Sequence, residues 1–201
     1  AESSLIERID IVSNKDQSKT VSVAAGIIRL MYYESILQDT VKATITFADA
    51  GNTIDEKNAL EGLPIVGQEK TYLKFKDNNN TELDLVLYVN KVSPLSDETT
   101  KNLIKLDLVS KEFVLNEKVR LNTRFDGKIS DHIRNILTNQ NYLATDKDVD
   151  IEETSNNYNF IGNNKKPYYA LNWLSKKAVP NLPEAKGNTA GFFFYETSEG
   201  F

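Results

Sequence analysis

Gly62-Leu63-Pro64-Ile65-Val66-Gly67 carries the glycine spacing of a phosphate-cradling loop, one of several stretches of the chain that could do chemistry. Gln68 and Glu69 stand where Lys and Ser or Thr are needed, and an acidic side chain there repels phosphate. The stretch therefore reads as a turn entering a strand over 70–76. Asp146, Asp148 and Asp150 begin with the alternate-residue spacing of a calcium loop, but Ile151 replaces its glycine and Asn157 its bidentate glutamate. A solvated acidic loop is the expectation. His132 is the only histidine, lies beside Asp131, and is expected on a surface or helix face; no Gly-x-Ser-x-Gly elbow occurs anywhere. Glu152 with Glu153, or Glu34 with Asp39, could supply the two carboxylates of a glycosidase, although sequence implies no pocket around either pair. Cysteine is absent, which excludes disulfides, thiol nucleophiles and Cys-ligated zinc. The expected catalytic, cofactor-binding and metal residues are therefore none, no cofactor is expected, and the chain reads as a non-enzyme.

Three further groups have structural readings. Asn79-Asn80-Thr81 is formally a glycosylation acceptor but reads as a polar turn. Lys165-Lys166 and Lys176-Lys177 read as solvated faces. Trp173, Tyr168, Tyr169 and the Phe192–Tyr195 run read as core or subunit interface, with an aromatic platform of a glycan-binding β module as the alternative.

The elements that position these residues follow from hydrophobic period. Val41, Ala43, Ile45 and Phe47 alternate with Lys42, Thr44 and Thr46; Thr71, Leu73 and Phe75 alternate likewise; Leu83, Leu85, Leu87 and Val89 resume after the turn tract Asp77-Asn78-Asn79-Asn80. Asp49-Ala50-Gly51-Asn52 punctuates the chain after the first of these. With Ile6–Val12, Val21–Val23, Ile27–Tyr33 and Ile104–Leu108, the last after a polar loop over Pro94–Asn102, about seven strands are expected, enough for a small sheet or barrel. An unclosed sheet leaves edges that can recruit another chain. Beyond residue 112, Ile129, Ile133, Ile136 and Leu137 give an amphipathic helix with Ser130 as its N-cap, and Pro167 opens a second helix that Pro180 stops. Val149 with Ile151, and Phe192–Tyr195, read as short strands, the latter as half a hairpin cut off before its return strand. The fold class is α+β: an N-terminal antiparallel β-barrel-like domain over 1–112, then a partial mixed α/β domain over 113–201.

At 201 residues, 40% hydrophobic and 26% charged, the chain has enough apolar content for packed cores. A net charge of -5 makes it a poor ligand for nucleic-acid backbones. No apolar run reaches the roughly 18 residues of a membrane span, and no leader is visible, although the chain begins at Ala1 without Met.

Several blocks, in order, resemble the central hub protein of contractile-tailed phage baseplates: Tyr33-Glu34-Ser35-Ile36-Leu37-Gln38-Asp39 leading into Ala43–Phe47; Leu63–Glu69; Leu108-Val109-Ser110-Lys111-Glu112; and Gly127-Lys128-Ile129-Ser130-Asp131. Ile151–Thr154, Tyr158–Asn163, Pro167, Trp173-Leu174-Ser175 and Gly191–Thr197 complete the series. The resemblance implies a structural subunit, a homotrimer that adapts a three-fold spike to a six-fold tail tube. Its partners would be further copies of itself, the tail spike protein, tail tube proteins and baseplate wedge proteins, without a membrane span or specific nucleic-acid binding. The location would be the virion tail baseplate, after assembly in the bacterial host cytoplasm. It further implies that 1–112 is a tube-type domain, and that a second such domain lies outside this chain. The hub or spike component of a bacterial contractile injection or secretion system is a related alternative.

Overall fold

The computed structural model describes residues 4–49, 63, 65–97, 102–181 and 191–201. The chain forms two units, Ala1–Tyr33 with Lys42–Ser110, and Glu34–Val41 with Lys111–Phe201. The sequence reading draws the boundary at 112; contacts draw it at Ser110 and assign 34–41 to the second unit.

The first unit is one antiparallel sheet of seven strands: β1 Leu5–Val12, β2 Thr20–Ser22, β3 Ile27–Tyr33, β4 Lys42–Asp49, β5 Lys70–Lys76, β6 Glu82–Asp97 and β7 Asn102–Val109. Their order is β2-β1-β5-β6-β7-β4-β3. The sheet curls into a half-barrel, so Tyr32 of β3 reaches Phe75 of β5 with ring centroids 6.2 Å apart although those strands are not neighbours. Alternation built this core: Ile9, Ile11, Ala43, Ile45, Phe47, Leu73, Leu87, Val89, Ile104, Leu106 and Leu108 are all buried. The β5–β6 turn forms where expected. Asp77 Oδ1 accepts from the N–H groups of Asn79 and Thr81, both at 2.8 Å, while Asn80 takes a positive φ of 62°.

One expectation fails here. The polar loop read from Pro94 onward is strand: β6 continues to Asp97, with Pro94 opposite Ile104 beside an irregularity. β5 pairs with β6 only as far as Tyr88, so Pro94 lies where one side of β6 lacks that neighbour and no ladder bond to β5 is lost. Part of the expected loop, and Ala50-Gly51-Asn52, lie outside the described residues.

The second unit holds α1 Lys111–Lys118, β8 Arg124–Phe125, α2 Ile129–Thr138, β9 Phe160–Ile161 and α3 Pro167–Ser175. Its core gathers Leu121, Phe125, Ile129, Ile136, Leu137, Leu143, Tyr168, Leu171, Leu174 and Phe194. β8 and β9 pair antiparallel and stack Phe125 on Phe160, with centroids 4.7 Å apart. Gly162 follows, where an added Cβ would stand 2.5 Å from the Leu121 carbonyl oxygen.

Four sequence expectations change in this unit. Ser130 lies inside α2 and does not cap it; the N-cap position is Lys128, and the Ser130 N–H donates to Thr154 Oγ1 at 3.0 Å. A hydroxyl distant in sequence thus does the capping. α3 begins at Pro167 as expected but ends at Ser175, short of Pro180, which bridges to Thr154. Phe192–Tyr195 is not a strand, and 149–151 is not one either. Asp148 forms an isolated parallel bridge with Gly200, the Phe201 N–H donates to the Asp148 carbonyl at 3.0 Å, and the Asp150 N–H donates to that of Phe201 at 2.8 Å. The half hairpin expected at the end of the chain is replaced by this pairing.

Candidate functional site

The glycine-spaced loop already holds an anion, the chain's own. Glu69 is fully buried; its two carboxylate oxygens accept from the Val66 and Gly67 N–H groups at 2.9 and 2.8 Å. Such paired amides suit a phosphate, and here a side chain occupies them. Of this loop, Gly62 and Pro64 lie outside the described residues.

Of the acidic and basic residues singled out by spacing, Asp148, Asp150 and Glu152 line one groove and the others are dispersed. Asp146 pairs with Lys111 at 2.7 Å, and that hydrogen bond holds its carboxyl below the usual range. Among the described residues no group of three or more His, Asp or Glu could hold a metal ion. Glu153 accepts from Ser130 Oγ at 3.3 Å, Glu34 from the Ser198 N–H at 2.8 Å and Asp39 from Asn172 Nδ2 at 2.8 Å. Each of these carboxylates is committed to a separate structural bond. Glu152 faces a groove of about 750 Å³, with Asp148, Asp150, Ile133 and Phe192 among its lining. His132 lies on α2, as the helix-face reading expects, but on its buried face and not at the surface; its Nε2 lies 3.0 Å from the Tyr158 carbonyl and its ring is edge-on to Phe125 and Phe160. Lys166 pairs with Glu117, Lys165 lies over Tyr169, and Lys177 lies 5.2 Å from the Tyr158 ring centroid and 5.3 Å from that of Trp173. Trp173 is half-buried, edge-on to Tyr158 and Phe160, and Tyr168 and Phe194 enter the core.

The most organised polar cluster was not anticipated. Residues 34–41 leave β3 and return to β4 as a strap on the second unit. Glu196, fully buried, accepts from Thr40 Oγ1 at 2.8 Å and the Val41 N–H at 3.0 Å through Oε2, and pairs with Lys147 through Oε1. Lys147 Nζ also lies 3.8 Å from Oε2 of Glu112, whose Oε1 accepts from Thr145 Oγ1 at 2.6 Å. Two buried carboxylates thus share one lysine. With the bonds of Glu34 and Asp39, they anchor the strap at both ends, and its turn presents Ile36 and Leu37, 54% and 78% exposed. This cluster can fix a loop in place; it brings together no nucleophile and base. The sequence signal was a glutamate directly after the Phe192–Tyr195 run, and both Glu112 and Glu196 fall within the blocks that carry the hub resemblance.

No protein-family model and no curated protein matches the chain. Solved structures do. The 43 kDa tail protein of prophage MuSo2 from Shewanella oneidensis aligns with a TM-score of 0.58 at 15% identity, over 87% of this chain and 48% of its own length. A chain of the lidded PdpA–VgrG complex of Francisella aligns at 0.54 and 11% identity, over 96% of this chain and 28% of its own. This chain therefore spans about half of the first protein and little more than a quarter of the second. At these identities the likeness is one of fold: the chain has the fold shared by a phage tail protein and a VgrG-complex chain, as its resemblance to baseplate hubs implies.

Proposed function

We propose that the chain is a structural subunit of the central hub of a phage tail baseplate, a trimeric adaptor between the three-fold spike and the six-fold tail tube. The observation that carries this reading is the fold likeness to a phage tail protein over 87% of the chain, a span that exceeds either unit alone. The subunit works by assembly and not by catalysis; its partners are its own copies, the spike, the tube and the baseplate wedges, and its place is the virion tail, assembled in the host cytoplasm. The committed carboxylates and the self-filled amide loop support a scaffolding role. Light scattering on the protein carrying its complete hub region is expected to give the mass of three chains. A monomer at all concentrations would count against the adaptor.

A second reading, the hub of a bacterial contractile injection or secretion apparatus, is favoured by the likeness to the VgrG-complex chain. Co-sedimentation of the protein with phage particles, or instead with a cell-envelope apparatus, separates the two.

A further inference from the structure

Among the described residues, the half-barrel of the first unit is closed at one end and open at the other. At the closed end β2 pairs with Asp10–Val12 of β1, the Val23 N–H donates to the Ile9 carbonyl at 2.9 Å, and the 3-10 turn Ala24–Gly26 carries the chain across to β3. Gly26 makes that crossing possible, since a Cβ there would stand 2.5 Å from the Ala48 carbonyl oxygen. β2 is only three residues long, so Leu5–Arg8 of β1 extends beyond it, while β3 is the terminal strand at the other margin of the sheet. Both margins line one groove of about 600 Å³: Ile6 from β1, Leu30 and Tyr32 from β3, and Phe75 from β5 contribute apolar walls. Ile28, 62% exposed at an irregularity of β3, stands among its lining.

We propose that this slot takes one extended strand of another protein, which joins the sheet in line with β2 and completes the barrel. Strand margins on both sides call for a ligand with backbone donors and acceptors at strand spacing, which an extended polypeptide supplies. The apolar walls call for apolar side chains at alternate positions. A second copy of this chain is disfavoured as donor. Its alternating segments, among the described residues, are already sheet strands. The inference goes beyond the hub reading and does not depend on it.

The test uses the full chain and a fluorescent alternating Thr-Val peptide of about six residues, the usual strand length. The peptide is expected to bind and to slow amide exchange at Leu5–Arg8 and Ile27–Tyr33. The same peptide N-methylated at alternate amides should fail to bind. Ile28→Lys, which places a charge on the margin, should weaken binding roughly tenfold, whereas Val86→Lys on β6 should not. Lack of binding, equal binding of the N-methylated peptide, or protection elsewhere would overturn the proposal. So would concentration-dependent protection of the same amides without peptide, since that would identify a second copy as the occupant. If Ile28→Lys fails to fold, the N-methylated peptide still decides.

Discussion

At the scale of single residues, the polar groups with the most partners hold backbone in place. Removing Glu196 would leave Thr40, the Val41 N–H and Lys147 without their shared acceptor. Glu196→Ala should therefore cost about 3 kcal/mol in urea unfolding, with faster amide exchange over residues 34–41; Glu196→Gln, which keeps an acceptor, should cost less. Exchange unchanged over the strap would show that other contacts anchor it. Gly200 has a φ of 159°, and an added Cβ would stand 2.1 Å from the Asp148 carbonyl oxygen. Gly200→Ala is expected to cost about 2 kcal/mol or more, read as a lowered urea midpoint and lost protection at Asp150. A neutral outcome would mean that the pairing of 148–150 with 200–201 is dispensable. Neither role was legible in the sequence, because a carboxylate that binds distant backbone leaves no local pattern. The mismatches at Glu69, Ile151 and Asn157 were legible, since each replaces a side chain whose chemistry the motif requires.

At the scale of elements, alternation made the strands readable. Val41 to Phe47 and Ile104 to Leu108 put successive apolar side chains on one face, and those faces are the buried ones. α1 left no helical signature because its apolar residues Phe113, Val114 and Leu115 are consecutive rather than three or four apart; Phe113 and Leu115 pack on the core, while its fully buried residues are Glu112 and Asn116. Phe192–Tyr195 misled in the opposite sense. Phe194 enters the core and Phe193 is 55% exposed, which suits strand alternation, yet the segment makes no ladder. Apolar content marked its burial without marking its backbone geometry. The outer ends of β1, β5 and β6 carry a four-charge network: Lys74 and Lys76 each reach both Glu7 and Glu82, at 2.8 to 3.4 Å. Hydrogen bonds to the lysines depress both glutamates, and bonds to the glutamates raise both lysines. The carboxylate contribution is present above the unfolded glutamate range and is lost as pH falls through the depressed values. The lysine contribution is present below the unfolded lysine range and is lost as pH rises through the raised values. The wild-type melting temperature should thus exceed that of Lys74→Met/Lys76→Met near neutrality, and the difference should shrink in acid and in high salt, where exposed charges are screened. A difference independent of both would point to packing by the lysine stems.

At the scale of the whole molecule, a curled antiparallel sheet and a small α/β unit share the chain, and the connection from β3 to β4 belongs to the second of them. That connection is Glu34 to Val41, part of the first block that carries the hub resemblance. The β-rich to mixed transition was legible from the change in hydrophobic period; the assignment of the strap was not, because it depends on Glu196, Asn172 and Ser198, more than 130 positions further along. The proposed function is one of assembly, and assembly is best observed in place. Cryo-electron microscopy of intact particles from a producing cell measures it most directly. The account predicts density for this chain in three copies at the centre of the baseplate, between spike and tube. Density along the tail sheath, at the head, or nowhere in the particle would contradict it.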